Sequence, residues 1–463
     1  MMKHMTVQDA ISAVQGEWIG QESVLLEEIK SVEIDSRKVQ TGTLFVAIPG
    51  ERVDGHKFIP EVLENGAVCA ISEQRLEESI QNYILVNDTK TALRDLAEYY
   101  RGILDIKIVG ITGSVGKTST KEMIATVLSE KFSVQKTAGN FNNEIGLPLT
   151  IFSIGTEHEI GVVEMGISDF GEMSRLAKIA RPDVMVITNI GQCHLENLGT
   201  RDGILKAKTE CFDYLNSGAQ VVLNGNDDKL VTIETVQGTV PNMFVVDADN
   251  TGITFCNQKV CASAKEISSL GLAGSDCTMT FKDLSGEVVT SRVHIPVAGS
   301  HMVYNALAAS MVGLLFGMNV EEIVKGIGKA TAVSGRGRLI KTGKYLLVDD
   351  TYNANPVSMR AELDLLKESE GRRVAILGDM FELGDDEVQM HYDLGAYAIT
   401  CCDELICIGE LSKNMHEGAG RGYYFATKEE FLKFKEDILM DGDTILLKAS
   451  HGMQFGLLLE ELK

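Results

Sequence analysis

Short, nearly continuous apolar runs recur along the chain, each closed by small or polar residues. They are Ile106–Thr112, Ile160–Gly166, Val184–Gly191 and Val221–Asp227, then Tyr345–Thr351, Val374–Met380, Leu405–Gly409 and Thr444–Ser450. Runs of this length, separated by helical patterns, predict parallel strands buried on both faces. Each set ends in groups capable of chemistry: Glu164, Asn189, Asp350, Asp379 and Lys448. Ligands of open α/β sheets bind beyond the carboxyl ends of the strands, so the pattern predicts one active edge on each of two sheets. Between Thr251 and Val297 the apolar positions alternate instead, as in T-M-T-F-K-D, and predict an antiparallel insert. A Gly-rich stretch, Ser334–Arg338, marks a break between the two strand sets, and the first hundred or so residues read as a smaller α/β unit. Thr6 is placed to cap a first helix.

Composition narrows the class. The chain has 463 residues, 44% hydrophobic and 24% charged, and fits about three domains at ~150 residues each. Those values exclude a disordered, collagenous or disulfide-stapled chain. The net charge of −23 argues against non-specific binding to nucleic acid, and an anionic substrate would need basic residues gathered locally. No apolar run approaches the ~20 residues that span a bilayer, and the N-terminus lacks a signal-peptide core. The nine cysteines form no C-x-x-C pair, and Cys401, Cys402 and Cys407 fall in an apolar stretch that reads as core. A reduced, cytoplasmic compartment is expected.

One segment carries a specific chemical signal. The run Ile106–Thr112 leads into Gly113, Ser114, Val115, Gly116, Lys117, Thr118 and Ser119, and then a helical pattern. Glycines let such a loop aim N–H groups at phosphate oxygens at the positive end of a helix. Lys117 would reach the β- and γ-phosphates and Thr118 would ligate Mg²⁺. Ile111 stands where the common phosphate-loop pattern has glycine, but the strand–loop–helix context is intact. An ATP or GTP site is predicted.

Other candidates have two readings each. Glu164 closes a buried strand and is either an ion-paired carboxylate or a Mg²⁺ ligand. His194 follows the next strand as a surface hydrogen-bonding group or a ligand, and Lys206 and Lys208 read as solvated lysines on a helix. Asn140, Asn142 and Asn143 could read a sugar or peptide, or could close Asx-turns; Ser36 and Arg37 share that ambiguity. Asp379 and Glu382 are candidates for an ammonium group, or a helix cap and a solvated residue, while Tyr352 alone reads as a packed ring.

Taken together, these motifs resemble the Mur ligase family, the ATP-dependent amide ligases of peptidoglycan precursor synthesis. The likeness runs through Asp35–Gly50, Asp54–Phe58, T-G-S-V-G-K-T, Asn140–Pro148, V-E-M-G, His194–Glu196, His301–Ala309, G-R-G-R and Asp349–Pro356. In this family the phosphate loop is T-G-S/N-x-G-K-T, so Ile111 is no departure. The resemblance implies a small UDP-sugar-binding α/β domain (1–100), a central P-loop domain with a parallel sheet and an antiparallel insert (101–332), and a C-terminal Rossmann-like α/β domain (333–463).

The same resemblance implies residue roles. Lys208, separated from the aromatic Phe212 by three residues as in the family, matches a lysine carried as an N-carboxylated carbamate. Thr118, Glu164, His194 and Lys208 would hold Mg²⁺; Lys117, Lys208 and His194 would be catalytic; Asn305 would meet adenine, with Arg336, or Arg338, and Asp350 reaching ATP from the C-terminal domain. Tyr352–Pro356, Leu377–Gly384 and Lys448–Met453 resemble the branch that adds D-alanyl-D-alanine to UDP-MurNAc-tripeptide, which makes Tyr352, Asn353, Asn355, Asp379, Glu382, Lys448 and Ser450 substrate contacts beside Ser36, Arg37, Asn140, Asn142 and Asn143. Ala449 and His451 stand where relatives often have Gly and Arg. The implied partners are small molecules, with no nucleic acid and no membrane insertion, acting on a monomer. Another Mur or folylpolyglutamate-type ligase, and a non-ligating ATP-dependent switch, remain as alternatives.

Overall fold

A computed structural model describes residues 2–50, 53–247 and 260–463. The chain divides into two compact units. The first comprises Met1–Thr112, Lys131–Val186 and Ala207–Val221; the second comprises Gly113–Glu130, Ile187–Lys206 and Val222–Lys463.

The first unit opens on the helix Val7–Val14, capped by Thr6: its hydroxyl accepts from Asp9 N at 3.2 Å while Thr6 N donates to Asp9 Oδ2 at 2.8 Å. This reciprocal pairing satisfies two backbone donors at the helix start. A five-stranded sheet follows in the order Glu17–Ile19, Tyr83–Leu85, Cys69–Ser72, Thr43–Val46, Ser31–Glu33. All neighbours are parallel except the edge pair of Glu17–Ile19 with Tyr83–Leu85. Farther along, Lys107–Thr112 lies parallel to Ile160–Glu164, which lies parallel to Val134–Lys136. The register sets Ile111 opposite Glu164, so this carboxylate stands level with the residue two positions before Gly113.

In the second unit the end of strand Gln220–Asn224 pairs in parallel with Asn242–Val246, and that strand with Cys261–Ser269. Cys261–Ser269, Ser275–Lys282 and Val288–Ile295 then pair antiparallel. The predicted insert is therefore antiparallel where it is described; residues 251–259 of it lie outside the described residues.

The last sheet of the second unit has the order Arg338–Lys341, Leu346–Asp350, Thr444–Lys448, Arg373–Gly378, Glu404–Ile408, Tyr423–Phe425. Only the first pair is antiparallel. Successive side chains on a strand point to opposite faces, and here both faces are buried. Ala375, Leu377, Leu405, Cys407 and Leu446 join one apolar cluster with the helix Pro356–Lys367; Val374, Ile376, Ile406, Ile408, Ile445 and Leu447 join the other with the helix Phe455–Glu460. That two-sided burial is why the inner strands are apolar through their middles, with polar residues only at their ends. Cys401 and Cys402 are buried in the first cluster, as predicted for core.

Candidate functional site

The phosphate loop is held from below. Strand Lys107–Thr112 ends at the loop, and the helix Lys117–Leu128 begins behind Gly116. Gly116 has φ +82°, a conformation that favours glycine; Gly113 has φ +150°, and a Cβ there would sit 1.9 Å from Thr188 Oγ1. Asn189 clamps the loop on three sides. Its carbonyl accepts from Ser114 N at 3.0 Å, its Oδ1 accepts from Val115 N at 3.0 Å, and its Nδ2 donates to Val115 O at 3.0 Å. Thr188 Oγ1 also donates to Val115 O at 2.7 Å. With the N–H groups of Ser114 and Val115 so engaged, an incoming anion is left the first turn of the helix, whose N–H groups no intrahelical carbonyl can take. Lys117 begins that turn and folds back, its Nζ donating to Gly113 O at 2.8 Å. Thr118 is buried beside it.

Asn305 is buried behind this loop. Its Oδ1 accepts from Thr120 Oγ1 at 2.9 Å, and a Cβ on Gly116 would lie 3.6 Å from the same oxygen. The first unit holds Glu164, 2% exposed at the end of its strand, with Oε1 accepting from Asn142 Nδ2 at 2.8 Å. Lys208, at the end of the helix Arg201–Thr209, is fully buried, whereas Lys206 is exposed.

His194 caps the short helix Leu195–Leu198 with φ +50°, and its Nδ1 lies 2.9 Å from Glu382 Oε2. Glu382 also has a left-handed backbone, φ +63°. Its turn is fastened at neighbouring positions: Phe381 N donates to Ser450 Oγ at 2.9 Å, and Ser450 N to Asp379 O at 3.0 Å. Asp379 is itself buried, its Oδ1 accepting from Ser412 N at 2.7 Å and Ser412 Oγ at 2.6 Å. That oxygen serves as an anchor for the start of the helix Ser412–Ala419.

On the C-terminal sheet Lys448 is buried in an ion pair with Asp350, and its Nζ also donates to Asn353 O at 2.9 Å. Arg336 lies 4.2 Å from the Tyr352 ring centroid, and Tyr352 packs 5.3 Å from the His451 ring. The loop bearing Arg336 is pinned by Asp349: Oδ2 accepts from Gly335 N at 2.8 Å and Oδ1 from Thr351 Oγ1 at 2.7 Å. Burial, reinforced by Asp350, pushes the Glu362 carboxyl up to about 8, against an opposing pull from Lys448.

Several amides and turns serve the local backbone. Asn143 Oδ1 accepts from Gly146 N at 2.9 Å at the start of a helix, and Asn355 caps Pro356–Lys367 through Ser358 N at 2.9 Å. Asn142 N donates to the carbonyl of exposed Asn140 at 2.8 Å. Ser36 and exposed Arg37 lie in a turn capped by Asp35, whose carboxyl is held down at about 2 by hydrogen bonds from Arg37. No signal in the sequence marks Thr188, Glu362 or Ser412, and Asn189 is marked there only as a strand end. The Asp349–Asp350 doublet was the one local signal for Asp349.

Three family models match in order along the chain: "Mur ligase family, catalytic domain" over residues 28–101, "Mur ligase middle domain" over 111–313, and "Mur ligase, glutamate ligase domain" over 335–451. The UDP-N-acetylmuramoyl-tripeptide–D-alanyl-D-alanine ligase of Bacillus subtilis is 34% identical over 446 residues, covering 94% of this chain and 93% of its own. Among solved structures, a MurF from Acinetobacter baumannii superposes with TM-score 0.87 at 33% identity, covering 100% of this chain and 99% of that one. A Thermotoga maritima MurF ligase in complex with ADP gives TM-score 0.78 at 29% identity, covering 94% and 97%.

Proposed function

This chain belongs to the Mur ligase family, and from that premise we propose how its own residues carry the reaction. It is an ATP-dependent ligase that joins D-alanyl-D-alanine to UDP-MurNAc-tripeptide in peptidoglycan synthesis, on the three-domain α/β fold of that family. The observation that carries this activity is the 34% identity spread over 94% of the chain.

We assign residues 1–100 to the nucleotide sugar, 101–332 to ATP and 333–463 to the incoming dipeptide, a division supported by the order and spans of the three family models. The tripeptide carboxylate attacks the γ-phosphorus of ATP, forming an acyl phosphate and releasing ADP. The neutral amine of D-alanyl-D-alanine then attacks the acyl carbon, phosphate leaves, and the amine gives up a proton as the amide forms. Two anions meet in the first step, so Lys117 leaves its loop carbonyls and turns its ammonium to the β- and γ-phosphates. Gly113, Ser114, Val115, Gly116 and Ser119 shape the loop, and Thr118 supplies a hydroxyl at the helix start. Asn305 supports the loop at its buried face. Arg336 and Asp350 approach the nucleotide from the C-terminal sheet.

The donor set suits Mg²⁺. It is bound through one or two carboxylates together with phosphate oxygens, and Glu164 is a buried carboxylate oriented by Asn142. Among the described residues no three His, Cys, Asp or Glu side chains form a ready cage, which fits an ion completed by the nucleotide. Thr118, Glu164, His194 and an N-carboxylated Lys208 would hold it; Lys208 is fully buried, and a lysine amine adds CO₂ in its neutral form. Bound there, Mg²⁺ would neutralise charge on the transferring phosphoryl group.

For the substrates, Ser36, Arg37, Asn140, Asn142 and Asn143 face the nucleotide sugar and peptide. Tyr352, Asn353, Asn355, Asp379, Glu382, Lys448 and Ser450 form or support the dipeptide site. No described helix is long and apolar enough to cross a membrane, which supports a cytoplasmic enzyme; we assign a monomer because each implied substrate has its domain in one chain. The test is phosphate release with Mg-ATP and UDP-MurNAc-tripeptide, with and without D-alanyl-D-alanine. Release that requires the dipeptide, with a product heavier by it, is expected; release indifferent to the dipeptide refutes the assignment.

A further inference from the structure

Among the described residues nine non-glycine positions have a left-handed backbone, and two of them, His194 and Glu382, meet each other. Such a conformation is unfavourable for a residue with a Cβ and persists only where the surroundings impose it. At Glu382 the source of that imposition can be traced. The two preceding backbone N–H groups are each taken by a side chain from elsewhere in the chain. Phe381 N donates to Ser450 Oγ at 2.9 Å, and Met380 N donates to His391 Nε2 at 2.9 Å.

His391 lies in the helix Glu387–Ala398 and is fully buried. Its second nitrogen, Nδ1, is 2.7 Å from Glu387 O, a carbonyl that can only accept. The two contacts fix one tautomer. Nδ1 carries the proton and donates, and Nε2 is bare and accepts from Met380 N–H. Glycine cannot supply such a fastening, and neither can an aliphatic residue of the same volume.

We propose that His391 is a positioning residue of the ligation reaction, the neutral imidazole that holds the 379–382 turn so that Glu382 is presented to its partner. The proposal rests on the reading above that this turn serves the dipeptide. His391 touches no substrate; it acts through Met380 N–H.

Two variants separate positioning from simple support of the fold. Gln at 391 can donate from its amide nitrogen to Glu387 O and accept from Met380 N–H through its oxygen; Leu keeps much of the volume and loses both bonds. His391→Leu should raise KM for D-alanyl-D-alanine by roughly tenfold, the order of one buried hydrogen bond, with KM for ATP and for UDP-MurNAc-tripeptide unchanged. His391→Gln should restore most of that loss. The ¹⁵N spectrum of the wild-type imidazole should show a protonated Nδ1 and a bare Nε2. Equal rises in all three KM values together with a lowered melting temperature, unchanged kinetics in a folded His391→Leu protein, or a protonated Nε2 would each overturn the proposal. A rise confined to KM for ATP, rescued by Gln, would support the positioning role and overturn the assignment of this turn to the dipeptide.

Discussion

Replacing Glu362 with glutamine swaps a buried acid for an amide of nearly the same shape, and the consequence for stability depends on pH. Glu362 is buried on the helix Pro356–Lys367, and its Oε2 has no hydrogen-bond partner. Asp350 stands close enough to raise its carboxyl further, Lys448 pulls the other way while paired to Asp350, and a Cβ placed on Gly337 would lie 4.0 Å from both oxygens. The fold therefore binds this proton more tightly than the unfolded chain does, up to about 8 against the ordinary 4.5. A raised carboxyl contributes its stability in full below pH 4.5 and loses it as pH climbs through 8. At ~1.4 kcal/mol per tenfold the whole span is at most ~5 kcal/mol, with the pull of Lys448 already included. Urea unfolding of wild type and Glu362→Gln at pH 5.5, 7 and 9 measures it. The advantage of the Gln variant should be smallest at pH 5.5 and grow to pH 9. In an Asp350→Asn background the dependence should shift to lower pH, because the neighbouring negative charge is gone. Parallel pH curves for wild type and Glu362→Gln would refute the reasoning.

Three further outcomes follow from the loops. Lys117→Ala should lower phosphate release by roughly three orders of magnitude through lost charge stabilisation, while circular dichroism and the melting curve stay those of wild type. Gly113→Ala forces a methyl to within 1.9 Å of Thr188 Oγ1; it should cost ~1–3 kcal/mol in unfolding and weaken ADP binding in calorimetry at least ~tenfold. Asp349→Ala leaves Gly335 N–H without its acceptor. It should cost ~1–3 kcal/mol and raise KM for ATP more than KM for D-alanyl-D-alanine, since the loosened loop carries Arg336.

Much of the architecture was legible because its causes are local. The run Val374–Met380 reads as a strand since the residues from Val374 to Leu377 alternate between two separate apolar clusters, and its polar Asp379 comes only at the strand's end. The phosphate loop was legible because strand, glycines, lysine and helix are contiguous. The Asx ambiguities were local as well, and at Asn143 and Asn355 the bonds observed run to N–H groups three residues on. What stayed hidden depends on partners remote in sequence. Nothing near Asn189 announces that its amide closes on Val115, 74 residues away. Ser450 reaches Phe381 across 69 residues, and Asp379 finds Ser412 across 33.

These remote contacts share a logic. A polar group at the carboxyl end of a buried strand must either meet a ligand or satisfy neighbouring backbone, because an unpaired one there costs several times what a hydrogen bond returns. Asn189 and Asp349 spend their oxygens on N–H groups of the two loops that bear Lys117 and Arg336, and Asp379 spends one of its own on the start of a helix. Such residues hold still the backbone from which others reach out. The division predicts how substitutions should differ. Removing a reaching group such as Lys117 abolishes chemistry on an intact fold, whereas removing an anchor such as Asp349 lowers stability and affinity together, because the buried N–H it served is left unpaired whether or not substrate is present.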